Sequence, residues 1–98
     1  MKLPTNAPRK IEQAIAYGTE LAALNVPHIM LGEMSAAELD DLVDSHLAEM
    51  AANLRANSDM SVRDMDKAIG NVVTFIRHAF VEETKRMLLA HTAQGGHA

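Results

Sequence analysis

Apolar residues along this chain recur at helical spacing. From Ile11 they fall at Ala14, Ile15, Gly18, Leu21 and Ala22, in steps of three and four, until Asn25-Val26-Pro27 interrupts the pattern. With Pro8 shortly after Asn6 as a helix start, this run predicts a first helix over roughly 7–25. A second run sets Leu39, Leu42, Val43, His46, Leu47, Met50 and Leu54 on one side and Asp41, Asp44 and Ser45 on the other. Ser35 with Glu38 three residues on is a capping-box pattern, and Arg55 follows at the end, so a helix over 36–56 is predicted. Ser61 with Asp64 repeats the cap, and Val62, Met65, Ile69, Val73, Ile76, Phe80 and Met87 form the stripe of a third helix that ends near residue 92.

Between the first two helices the segment 26–34 reads as a linker, since it holds Pro27 and Gly32. It also carries Val26, Ile29, Met30, Leu31 and Met34, which is too much apolar surface to lie in water, so it is expected to tuck against the core or a partner, with Met30, Leu31 and Met34 as anchors.

The third helix is long for the chain. At 1.5 Å per residue it extends about 48 Å, against a radius of gyration of about 13 Å for a globule of this size. It is therefore expected to project, to bend at Gly70, or to pack on another chain. It also carries a second apolar row, Phe75, Ala79 and Leu89, beside His78 and Glu82. Two helices cover one face of a third but not both, so self-association through that row is expected, with a dimer as the commonest outcome. The fold class implied is all-α: a three-helix antiparallel arrangement with a long C-terminal helix, completed by self-association into a larger helical bundle. One helical domain is expected over 1–92, with a flexible tail over 93–98.

Composition supports this. The 98 residues allow one core, and the apolar fraction of 48% is mostly Ala, Leu, Ile, Val and Met with three aromatics, a palette that favours helices. No cysteine is present, which removes disulfides and thiolate chemistry and suits a bacterial or phage protein in the cytoplasm. The opening residues show no signal-peptide core, and no apolar run reaches membrane-spanning length, so a soluble protein is expected. A net charge of −4 argues against general nucleic-acid binding.

Candidate chemistry is sparse. His46-x-x-Glu49 and His78-x-x-x-Glu82 place imidazole and carboxylate on neighbouring helical positions, the residue types of an iron or zinc site in a helical bundle. The ordinary account makes His46 a core-edge histidine bonded to a neighbour and His78 with Glu82 a solvent-facing pair. Glu83 falls on the inner stripe between Phe80 and Met87, where it needs an Arg or Lys from a neighbouring helix. Residues 60–80 match a helix-turn-helix at Met65, Ile69, Gly70 and Ile76, but Asp66 and Asn71 occupy positions that want small or apolar residues. The serines lie in caps, a helix or a turn, and no Gly-rich phosphate loop follows a strand, so no enzyme, catalytic residue or cofactor is expected. The seven methionines read mainly as core filling, with Met30 and Met34 the pair expected to be exposed together. The functional expectation is an interaction protein that self-associates: an adaptor, an assembly component or a regulator acting through protein contact. Alternatives are a helix-turn-helix-like DNA-binding regulator and a metal-binding helical bundle.

Overall fold

The structure, a computed structural model, describes residues 1–5, 8–56 and 61–95. Among them are three helices and no strand: α1 (Ile11–Met30), α2 (Ala36–Ala56) and α3 (Val62–Gly95). Both serine caps form. The Ser35 Oγ accepts from the Glu38 N–H at 3.0 Å, and the Ser61 Oγ accepts from the Asp64 N–H at 3.3 Å while donating to the Asp64 carboxylate.

The first helix differs from expectation at both ends. Its N-cap is Lys10, not a residue near Ala7, and Pro8 is buried ahead of the helix. Its far end runs on to Met30, with Pro27 inside it. Pro27 lacks the N–H that would reach the Ala23 carbonyl, but Ala23 is exposed, so solvent is available to that group. Val26 is 0% exposed, and Ile29 and Met30 pack on the core, which holds the last turn helical. Most of the expected linker is thus the end of α1, and Met30 and Met34 are half-buried rather than exposed together.

Gly32 ends the helix because its φ of 76° lies in the left-handed region, which costs other residues about 1 kcal/mol or more. Its N–H donates to the Ile29 carbonyl and the Glu33 N–H to the His28 carbonyl, the paired bonds of a Schellman cap. The His28 Nδ1 and Glu33 Oε2 close the same turn with their side chains at 2.5 Å. Leu31, at the cap, is 72% exposed; it does not tuck in.

Paired residues set the helix directions. Arg55 near the end of α2 bonds Asp66 near the start of α3, while Arg77 of α3 reaches Asp40 and Asp44 early in α2. Tyr17 and His46 join the middles of α1 and α2, and Ile29 shares a hollow with Ala36 and Leu39. Each consecutive pair is therefore antiparallel, and α1 runs parallel to α3. The core comprises Ala14, Tyr17, Leu21, Ala22 and Val26 of α1, Leu39, Val43, Leu47 and Met50 of α2, and Val72, Ile76 and Phe80 of α3. Full burial of a Leu or Ile such as Leu21, Leu39 or Ile76 contributes about 1.5–3 kcal/mol each.

Helix α3 runs unbroken through Gly70, so Gly70 does not supply the turn of a helix-turn-helix. It continues to Gly95, past the end expected at 92; residues 96–98 of the expected tail lie outside the described residues. This one helix sets the shape, 56 × 22 × 20 Å with a radius of gyration of 15.1 Å. Among the described residues, Ile11, Ile15 and Leu42 of the predicted stripes are exposed, at 45%, 44% and 41%. Glu83 finds its cation on its own helix, at Arg86, and not on a neighbour. That contact holds the exposed Arg86 guanidinium above its ordinary value, through the hydrogen bond first and the carboxylate charge second.

Candidate functional site

The expected metal ligands do not come together. His46 turns its Nε2 to the Tyr17 hydroxyl of α1 at 2.5 Å, His78 is exposed on α3, and Glu82 lies 3.8 Å from Lys85. Among the described residues no group of three His, Asp or Glu side chains is placed to hold a metal ion.

The expected association row is split by the fold. Ala79 is 8% exposed because α1 covers it: a Cβ on Gly18 would stand 3.0 Å from the Ala79 Cβ. Its assignment to an open face is therefore corrected. Phe75 is half-buried and packs on the core, whereas Leu89 is 70% exposed.

What the sequence pattern missed is the groove between α1 and α2. The segment Met1–Thr5 lies along it, and Asn25 holds that segment in place. The Asn25 side chain is 0% exposed; its Oδ1 accepts from the Lys2 N–H at 2.8 Å, and its Nδ2 donates to the carbonyls of Lys2 (2.7 Å) and Leu21 (2.8 Å). A buried amide without partners would cost several kcal/mol, so these three bonds are what permits Asn25 inside. Pro4 is buried along the same segment. The two prolines ahead of the first helical run were the available signal, since proline holds φ near −65° and keeps the chain extended.

Beyond Pro4 the groove opens into a hollow of about 630 Å³, with Leu3, Pro4 and Thr5 on one wall and His46, Glu49 and Asn53 on another. There the rings of Tyr17 and His46, with centroids 5.9 Å apart and planes at 16°, meet edge to edge through their hydrogen bond. Burial pushes the Tyr17 phenol up, with the Glu20 charge adding to it. Burial pulls the His46 imidazole down, against the Glu49 carboxylate, which favours its charged form. Both groups are consequently neutral at pH 7, so the pair serves as a polar strut between α1 and α2 and supplies neither a phenolate nor an imidazolium.

No family model, curated protein or solved structure matches this chain. The geometry alone carries the functional argument. Among the described residues no helix is long and apolar enough to cross a membrane.

Proposed function

We propose that this chain is a small non-enzymatic interaction protein that associates with a second copy of itself. The observation that supports it is the pair Ile11 and Ile15, one helical turn apart and 45% and 44% exposed. They stand on the shoulder of α1 next to Ala14 and Gly18, the row that faces α3. Because α1 and α3 are parallel and Gly18 meets Ala79, Phe75, one turn before Ala79, comes to the level of Ile15. The result is an apolar strip beside a closed seam. Such a strip, repeated on a two-fold-related copy, makes a self-complementary contact and a larger helical bundle. The role is that of an adaptor, assembly component or regulator, and we place it in the bacterial or phage-infected cytoplasm, where a chain without cysteine needs no oxidising chemistry.

Light scattering on Ile15→Asp tests the reading. Ile15 is exposed enough that the charge should leave the helical circular dichroism intact while reducing the mass to that of one chain, 10.7 kDa. A wild type already at that mass at about 100 μM, or an Ile15→Asp chain that stays dimeric, refutes it.

A further inference from the structure

We propose that the end of α1 and the first residues of the chain form a binding site for one soft monovalent metal ion, copper(I), with the Met1 and Met34 thioethers and the His28 imidazole as ligands. Met1, Lys2, Asn25, His28, Glu33 and Met34 line a single hollow of about 300 Å³, so two thioethers and one imidazole border the same space. Each is brought there by a different part of the chain. Asn25, one turn before His28 on α1, grips the backbone of Lys2 through two bonds and so fixes the position of Met1. The Gly32 cap folds the chain back, with the Glu33 N–H on the His28 carbonyl, and this returns Met34 to the same end of the helix. Within that turn the Glu33 carboxylate holds the His28 Nδ1 at 2.5 Å. A carboxylate can only accept, so Nδ1 is the donor and Nε2 is left as the nitrogen for a metal, the way carboxylates orient imidazole ligands in metal centres generally. The donor set selects the ion: thioethers suit copper(I), whereas magnesium and calcium want oxygen ligands. Glu33 offsets the positive charge. Met1 is 41% exposed and the His28 side chain 33%, so an ion reaches the ligands without opening the core.

The test is a calorimetric titration of the full chain with silver(I), a redox-inert stand-in for copper(I), in chloride-free buffer. One ion per chain is expected. Met34→Leu keeps the bulk and removes the sulfur, His28→Gln removes the imidazole, and each should weaken binding at least about tenfold. Glu33→Ala removes only the carboxylate that orients His28 and should weaken binding about tenfold. His78→Gln, at an exposed histidine of α3, should leave the affinity unchanged. In methyl NMR spectra of the seven methionines, silver should move the Met1 and Met34 signals and leave those of the buried Met50 and Met65 in place. Should His28→Gln lose its helical circular dichroism, Met34→Leu and the methyl spectra decide alone. No saturable binding with a Kd below about 100 μM overturns the site. So does a Met34→Leu chain that binds silver as tightly as wild type, or zinc(II) bound as tightly as silver, which would show that the thioethers are not ligands.

Discussion

Helix α1 meets α3 through small residues, whereas α2 meets the pair through large ones. Ala14, Gly18 and Ala22 repeat every fourth residue and are buried, and a Cβ at Gly18 would stand 2.2 Å from the Ile76 carbonyl oxygen. Leu39, Val43, Leu47 and Met50 of α2 fill their side of the core with side chains, and its edges carry the ion pairs of Arg77 with Asp40 and Asp44 and of Arg55 with Asp66. In the first seam the backbones themselves are the packing surface. In the second, side chains hold the backbones apart and can re-pack. The difference teaches that a small residue can be the most demanding position of a helical core, because backbone cannot rotate out of the way as a side chain does.

The largest effect is expected at Gly18. Gly18→Ala gains about 1 kcal/mol of helix propensity, yet the new Cβ meets the Ile76 backbone, and a net loss of about 2 kcal/mol or more is expected. Leu47→Met on α2 conserves volume and should lose less than about 1.5 kcal/mol. Urea unfolding followed by circular dichroism ranks the two. A Gly18→Ala chain as stable as wild type would abolish the distinction between the seams.

A smaller effect is expected at the edge of α2. Arg77 and its two carboxylates are more than a third exposed, so solvent screens them, and Arg77→Ala should lose about 1 kcal/mol or less. Raising salt to about 0.5 M should shrink the loss further. A loss that is large and insensitive to salt would show that the aliphatic stem of Arg77, and not its charge, closes the α2–α3 edge.

The smallest effect is a pH dependence that belongs to the α1–α2 contact. His46 is held below its ordinary value by burial, so the unfolded chain takes up that proton first as pH falls. Its contribution to stability is complete above the ordinary histidine range, near about pH 6.5, and is lost progressively as pH drops below it toward the lowered folded value. Thermal melts at about pH 7.5 and 5.5 should show a modest fall in wild type that is reduced in His46→Gln. An identical fall in His46→Gln would assign the slope to other groups.

The chain's own pattern determined that the elements among the described residues are three helices, and how α2 and α3 begin, because local periodicity and the Ser35 and Ser61 caps need only neighbouring residues to act. It also indicated that the apolar residues of 26–34 required cover, which holds for Val26, Ile29, Met30 and Met34 but not for Leu31, and that His46 belongs at a core edge beside a hydrogen-bond partner. Tertiary packing decided the rest. Pro27 lies within α1 because buried Val26 and the packed Ile29 and Met30 outweigh one missing hydrogen bond. Ala79 closed onto Gly18 instead of lining an open row, since the depth of a helix seam depends on which small residues face each other across chain-distant segments. Asn25, a break signal when read locally, became the anchor of Met1–Thr5, because the partner that satisfies its amide lies twenty-three residues away in sequence and only the fold brings them within 2.8 Å.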